Sequence, residues 1–144
     1  MKIRFAMASV SIGLNFCFMA PSVSGNTLCP PSIAVKQKIT SLPHSWEAIA
    51  KTSSYPLRLV TFFEGHPKSK VSLVNDYVEA GEGREVAVWK FVSSKQGYWI
   101  ECGYDQTSIT LTKRLAESVS KCNVTYDPKV SIGGVQMINN IDCS

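Results

Sequence analysis

Histidine and carboxylate side chains are the groups in this sequence that could perform acid–base chemistry, and they form no recognisable catalytic pattern. The two histidines, His44 and His66, both lie in proline-containing turns. A Ser-His-Asp triad would need one of them, but no Gly-x-Ser-x-Gly sequence is present to hold a nucleophile. We therefore predict no catalytic residue and expect both histidines in surface loops.

A pair of carboxylates could serve a glycosidase as acid and as nucleophile or base. The candidates are Glu64, Glu79, Glu82, Glu85, Glu101 and Asp105. Most lie in segments that we expect to be solvated loops, whereas Glu101 lies within a predicted strand, where an exposed sheet face is the simpler explanation. A hydrolase hypothesis would use Glu101 or Asp105 with His66 nearby, and it requires them to converge in a cleft.

The cysteines predict structural bonds rather than metal binding. Cys17 falls in a predicted signal segment, which leaves Cys29, Cys102, Cys122 and Cys143. An even number in an exported chain predicts two disulfides, and no Cys-x-x-Cys pair indicates a metal site or cofactor. We favour Cys102–Cys122, which closes a local unit, with Cys29–Cys143, which joins the chain ends. Cys29–Cys102 with Cys122–Cys143 remains the alternative.

Aromatic residues indicate where a binding surface could lie. Strand parity places Trp89, Phe91 and Trp99 on one face and Tyr98 and Tyr104 on the other. One aromatic face is expected to be core, so the second could be a recognition surface. The predicted binding residues, on loops 64–68 and 104–107 and the ring of Trp99, are Glu64, His66, Trp99, Tyr104 and Asp105.

The N-terminus has the pattern of a cleavable export signal. Lys2 and Arg4 precede an apolar run that ends near Pro21, and the small residue Gly25 fits the position before the cut. We predict a signal peptide over residues 1–25 and one disulfide-stapled domain over 26–144, periplasmic or secreted. The run is short for a spanning helix, so no membrane span is expected after cleavage. A retained anchor and lipidation at Cys17 are the alternatives.

Charge excludes one class of partner. The chain has 15 basic and 11 acidic residues, and removal of the signal takes Lys2 and Arg4 with it. The mature protein is then nearly neutral, and no basic stripe interleaved with aromatics remains. Nucleic acid is therefore not expected as a partner.

Short runs of β-forming residues, separated by turn residues, predict a mainly β fold. Residues 86–92, 98–104 and 108–115 read as a three-stranded meander, residues 75–85 as a surface loop, and residues 44–51 as a short helix covering one face. Shorter strands are predicted at 33–39, 57–63 and 122–126, residues 71–74 read as a short strand or a loop, and the tail carries the mainly apolar run 135–138 after two glycines. The fold class is a small antiparallel sheet or sandwich with one short helix, and an α+β arrangement is the alternative.

Several motifs together resemble a known family. They are Cys29-Pro30-Pro31-Ser32-Ile33, Trp46, Phe63-Glu64-Gly65-His66-Pro67, Trp89-Lys90-Phe91, Tyr98-Trp99-Ile100-Glu101-Cys102-Gly103-Tyr104, Thr107, Leu111 and Cys122. The sequence resembles an uncharacterised family of small exported proteobacterial proteins, some of them encoded near type VI secretion clusters. The resemblance implies a periplasmic address. A neighbourhood of secreted cell-wall hydrolases would fit an inhibitor or immunity-like role.

Three functions follow as hypotheses. The first is a non-catalytic binding or inhibitor module whose partner is an envelope or peptidoglycan-directed protein, since a rigid stapled scaffold loses little entropy on binding. The second is the small periplasmic hydrolase described above. The third is a structural component of the envelope.

Overall fold

The computed structural model describes residues 28–69, 71–81 and 83–144. The predicted signal peptide, with its cleavage point and Cys17, lies outside the described residues, as does Glu82. The described strands are β1 Ser32–Lys36, β2 Thr52–Glu64, β3 Ser72–Leu73, β4 Tyr77–Gly81, β5 Arg84–Lys90, β6 Tyr98–Tyr104, β7 Thr110–Arg114, β8 Lys121–Ile132 and β9 Val135–Cys143. The mainly β prediction is confirmed.

The strands form two antiparallel sheets. The first has the order β1-β2-β6-β7, with β3 also paired to β2, and the second has the order β4-β5-β8-β9. Strand β2 is long enough to pair with β1 through Thr52–Pro56 and with β6 through Leu57–Glu64. The first sheet therefore gathers around β2, although β1, β2 and β6 are far apart in sequence.

The predicted meander over 86–115 is only half right. Strands β6 and β7 form a hairpin, with Trp99 opposite Arg114, but β5 pairs with β4 and β8 in the other sheet. Residues 91–97, which we call the crossing segment, therefore connect the two sheets instead of closing a hairpin. The turn-forming composition of Ser93–Gly97 is compatible with a hairpin and with a crossing between sheets. The crossing is favoured because β6 pairs with the longer strand β2, and β5 pairs with the longer strand β8.

Two local predictions are corrected. The segment 75–85 contains β4 and the hairpin to β5, because its glycines lie at the turn, where Gly83 has a φ of 76°. The helix expected near residues 44–51 is absent, and the described residues contain no helix beyond the 3-10 turn Pro67–Ser69. A helix this short is stable only when it packs against the rest of the protein. Residues 36–54 are exposed throughout, so that stabilisation is missing.

A single core lies between the two sheets. Phe62 of the first sheet packs on Trp89 of the second with ring centroids 4.9 Å apart, and Phe91 contacts Tyr98 at 4.6 Å. Ile100 and Val124 are fully buried beside them. Burying one such side chain contributes about 1.5–3 kcal/mol, so this interior is the main source of stability.

Trp99 does not share a face with Trp89 and Phe91, which corrects the face predicted from strand parity. Tyr98 and Tyr104 face the core with Ile100, whereas Trp99 lies on the outer face of the first sheet. Equal parity placed Trp99 beside Trp89 only on the assumption that β5 and β6 are neighbours. Because they belong to opposed sheets, that relation does not hold.

The disulfides join Cys29 to Cys102 and Cys122 to Cys143. The two predicted bonds are present, but the favoured pairing was wrong and the alternative is correct. Cys122 and Cys143 stand directly opposite each other on β8 and β9, and Cys29 lies against β6 with a Cα–Cα distance of 5.7 Å to Cys102. Loop length alone does not reveal which strands are neighbours, and that adjacency decides the pairing.

No helix among the described residues is both long and apolar enough to cross a membrane.

Candidate functional site

The five predicted binding residues lie in two groups at opposite ends of β6. Glu64, His66 and Trp99 are at the end where β2 leaves the sheet, because Glu64 pairs with Tyr98. Tyr104 and Asp105 are at the other end, beside Leu57 and Pro56. A strand of this length spans about 20 Å, so one small contact does not include both groups.

The Tyr104 end is occupied by contacts within the protein. Tyr104 is 4% exposed, and its hydroxyl donates a hydrogen bond to the carbonyl of Pro30 at 3.1 Å. Burial raises the pKa of this phenol. Asp105 accepts a hydrogen bond from Arg58 at 3.2 Å. The Tyr104 contact connects the segment around Cys29 to the first sheet, so the residues at this end have a structural role.

At the other end, Trp99 and His66 form an aromatic platform on the outer surface. Their ring centroids are 4.5 Å apart with a 60° angle between the planes, an edge-to-face type of contact. Trp99 is half-buried and His66 is exposed. Directly opposed residues share a sheet face, so Phe63, Trp99 and Arg114 form a row across β2, β6 and β7.

The turn after β2 determines where the His66 ring lies. Gly65 has a φ of 77°, and its amide donates to the carbonyl of Gly97 at 2.8 Å. A Cβ at Gly65 would come within 2.5 Å of Gln96 Oε1. Pro67 then begins the 3-10 turn with the φ that proline favours. Glycine and proline at these two positions therefore direct the chain across the end of β6.

Hydrogen bonds within the turn fix the position of the His66 ring. His66 Nδ1 accepts from the Lys68 amide at 3.2 Å, and the His66 carbonyl accepts from the Ser69 amide at 2.8 Å. With Nδ1 an acceptor, this bond assigns the proton of the neutral ring to Nε2. Glu64 accepts from the Ser94 hydroxyl at 2.6 Å. Its carboxylate thereby fastens the crossing segment to β2.

Cationic residues lie on the elements that flank the platform. The Arg114 guanidinium lies over Gly97, and a Cβ on that glycine would be 2.9 Å from Arg114 Nε. Arg114 pairs with Glu117 at 3.7 Å, and the two side chains are 51% and 90% exposed, so this ion pair is weak. Exposed Lys68 and Lys95 lie on the two turns that meet beside Gly65. We call Trp99, His66, Arg114, Lys68 and Lys95 the basic-aromatic patch.

The groups of the hydrolase hypothesis do not converge. His66 contacts Trp99, Glu101 lies within β6 near the Thr110 hydroxyl at 3.4 Å, and Asp105 is bound to Arg58 beyond the strand end. Glu79 and Glu85 belong to the second sheet. Within residues 28–69, 71–81 and 83–144 no three His, Cys, Asp or Glu side chains group as a metal site would.

Two other surfaces are open. A groove of about 700 Å³ lies between the β7–β8 connection and β9, with Leu115, Val119 and Ile141 among its lining residues. The segment 37–51, which we call the arm, projects large apolar side chains, with Trp46 72% exposed and Ile49 81% exposed. Among the described contacts of the arm, Gln37 donates hydrogen bonds to the Tyr55 hydroxyl and to the Gln106 carbonyl.

Sequence reasoning missed part of the basic-aromatic patch. His66 and Trp99 were predicted for binding, but Arg114, Lys68 and Lys95 were not. The signal for Arg114 was present, because aligning the predicted hairpin 98–115 strand against strand places it opposite Trp99. Nothing in the sequence indicated Lys68 and Lys95, since their approach requires the turn after β2 to meet the crossing segment.

Comparison with known proteins gives one match. A family model described as "Type VI secretion system Tli immunity protein" matches residues 51–144. That range runs from just before β2 to the end of the chain and includes the whole basic-aromatic patch, while β1 and most of the arm precede it. No curated protein matches the chain, and no solved structure matches it.

Proposed function

The chain belongs to the Tli immunity protein family of type VI secretion systems, and we propose that it protects its own cell by binding a type VI effector in the periplasm as a stoichiometric inhibitor. Family membership supports an immunity-like module with a protein partner. The periplasmic site, the absence of catalysis and the envelope target of that effector are the proposed parts.

The observation that carries the proposal is the family match across almost the entire described sandwich. The architecture suits inhibition by binding. Two disulfides and one shared core hold the surface turns, and a preorganised surface loses little conformational entropy when a partner docks. The chemically competent side chains of the hydrolase hypothesis are dispersed, which favours binding over turnover.

The periplasmic location rests on two further arguments. Disulfides persist in oxidising compartments, and both of these close within the fold. The export signal expected over residues 1–25 would deliver the chain to that compartment. An immunity protein is useful where the effector arrives, so we propose an effector that acts on the envelope, with peptidoglycan as its first candidate target.

The test is protection of a susceptible host. Each type VI effector encoded in the same genome is expressed with a periplasmic export signal, together with the full chain or with a chain lacking residues 1–25. For one of these effectors we expect survival, and only with the exported chain. A structural envelope component would leave killing by all of them unchanged, as would a protein unrelated to these effectors, and either result would overturn the proposal.

Titration separates inhibition by binding from an enzymatic form of protection. Purified effector, assayed on its own substrate, should lose activity linearly with added immunity protein and reach its minimum at a fixed molar ratio. Protection at amounts far below equivalence would mean that this chain turns over, and the non-catalytic proposal would be wrong. Size-exclusion chromatography of the mixture should show one complex at the same ratio.

A further inference from the structure

We infer that the basic-aromatic patch is the surface on which the effector docks, and that it receives an acidic segment carrying an apolar or aromatic residue. This inference rests on the proposed function and adds the location and the chemistry of the contact. Trp and Arg are the residue types that most often dominate binding energy at protein interfaces. Here Trp99 and Arg114 are direct cross-strand neighbours on one outer face.

Trp99 is not required by the shared core. The core side of β6 is formed by Ile100, Cys102 and Tyr104, whereas Trp99 points outward and contacts His66. Its large apolar surface therefore remains partly in water after folding. A partner that covers it removes that surface from water, which is favourable and also strengthens the neighbouring charge contacts.

Charge specifies the partner's chemistry. In the described part of the chain, Arg114 has only the exposed Glu117 as an ion partner, and no carboxylate lies within ion-pair distance of Lys68 or Lys95. Glu64 on β2 keeps its negative charge, but it is half-buried and its carboxylate accepts from the Ser94 hydroxyl. With Arg114, Lys68 and Lys95 against Glu117 and Glu64, the patch keeps a net positive charge beside an aromatic centre, which complements acidic residues flanking an apolar one.

The patch is also held in place before binding. The turn carrying His66 and Lys68 is bonded to the crossing segment through Gly65 and Gly97 at 2.8 Å. The crossing segment is bonded to β2 through Ser94 and Glu64. The arm, in contrast, has few bonds to the body. The patch therefore differs from the arm in combining cationic side chains, a partly exposed aromatic ring and a backbone held by hydrogen bonds.

The experiment measures the affinity of the exported, disulfide-bonded chain for the purified effector by calorimetry. We expect Arg114→Glu and Lys68→Glu each to raise the Kd by about tenfold or more, as for truncation or reversal of a central contact. Trp99→Ala should weaken binding at least as much. The matched control is Lys129→Glu, which makes the same charge change on β8 of the other sheet.

Folding is checked separately, because Trp99→Ala also removes packing against His66. Arg114→Glu and Lys129→Glu should both keep the wild-type unfolding midpoint, so a difference in Kd between them reports docking alone. Raising the NaCl concentration should weaken wild-type binding more than binding by Arg114→Glu. An effector Asp or Glu changed to Lys should restore affinity for Arg114→Glu if it lies opposite.

The outcomes are distinguishable. If wild-type protein binds the effector and all patch variants bind equally well, the docking surface is wrong and the proposed function stands. If wild-type protein does not bind the effector, both are overturned. If the patch variants instead abolish self-association or binding to an anionic polymer and leave effector affinity intact, the occupant is a second copy or that polymer, and the inference is wrong.

Discussion

Cys122 and Cys143 face each other directly across β8 and β9, so the last strand of the chain is bonded to its neighbour within the second sheet. Cys29 and Cys102 perform the corresponding task in the first sheet by fastening the start of the described chain to β6. Each sheet thus holds one end of the chain through its own bond. This arrangement leads to the first prediction.

Removing Cys29–Cys102 by the double change to Ser should cost more stability than removing Cys122–Cys143. The sequence separations are 73 and 21 residues, and the chain-entropy model then predicts losses of about 4 and about 3 kcal/mol. Urea denaturation of each variant, with wild type as reference, measures the difference. Non-reducing peptide mapping should recover the same two pairs; a Cys102–Cys122 peptide would contradict the structure.

Phe62→Ala should lower the free energy of unfolding by about 3–5 kcal/mol, because it leaves a cavity between the sheets. Phe62 is fully buried and packs on Trp89 and Phe91. Leu59→Ala, three positions away on the same strand, is the matched control. Leu59 is 56% exposed, so its loss should stay below about 1 kcal/mol. Equal losses in urea denaturation would argue against a core between the sheets.

Three glycines separate backbone strain from crowding. Gly65→Ala should be the most damaging, because its φ is 77° and, unlike exposed Gly134, it is buried, so the new Cβ must also displace the end of the Gln96 side chain 2.5 Å away. Gly134→Ala meets nothing within 4 Å but has a φ of 79°, so it should cost only the strain, about 1 kcal/mol. Gly81→Ala has neither problem and should be close to neutral. Thermal unfolding should show this order, and a different order would count against the described turn.

Trp46→Ser in the arm should leave stability within about 0.5 kcal/mol of wild type, because the side chain is 72% exposed. Trp89→Ser, in contrast, removes a ring that is 7% exposed and packed on Phe62, so it should cost several-fold more. Calorimetric unfolding compares the two. A large loss for Trp46→Ser would mean that the arm packs against the body.

Stability should decline as the pH rises above about 10. Burial raises the pKa of Tyr104, and burial together with Glu85 raises the pKa of Tyr126, each from an ordinary value of 10.0. Above that value the unfolded chain releases these protons while the folded chain retains them, so the unfolding free energy falls until the folded pKa is passed. Below pH 10 these two groups contribute their full stabilisation.

The double variant Tyr104→Phe with Tyr126→Phe isolates this effect. It should be less stable than wild type at neutral pH, because the Tyr104 bond to Pro30 is lost, at a cost of about 1 kcal/mol. Its unfolding free energy should nevertheless fall less steeply than that of wild type between pH 9 and pH 11. Parallel pH profiles would show that these phenols do not couple to folding.

Part of the fold could be predicted from local composition. The runs around Leu57–Phe63, Val86–Lys90 and Tyr98–Tyr104 are rich in β-branched and aromatic residues, and each is a strand. The hairpin from β6 to β7 was also predictable, because its alternation and its turn are local. His66 and Trp99 are both among the predicted binding residues, and the structure brings them into contact.

Three of the errors, in the meander, the face of Trp99 and the disulfide pairing, share one physical origin, which is that strand pairing is non-local. The sequence by itself determined most of the segments that become strands, that four cysteines are available for two bonds, and where the turns after β2 and β6 fall, since these depend on side-chain volume, backbone preference and neighbours along the chain. Only the tertiary structure decided that β5 and β6 lie in opposed sheets, that Cys102 meets Cys29, and that the turns carrying Lys68 and Lys95 meet at the end of β6. Those contacts depend on which apolar faces bury each other, and many sheet arrangements of the same strands are compatible with the local signals.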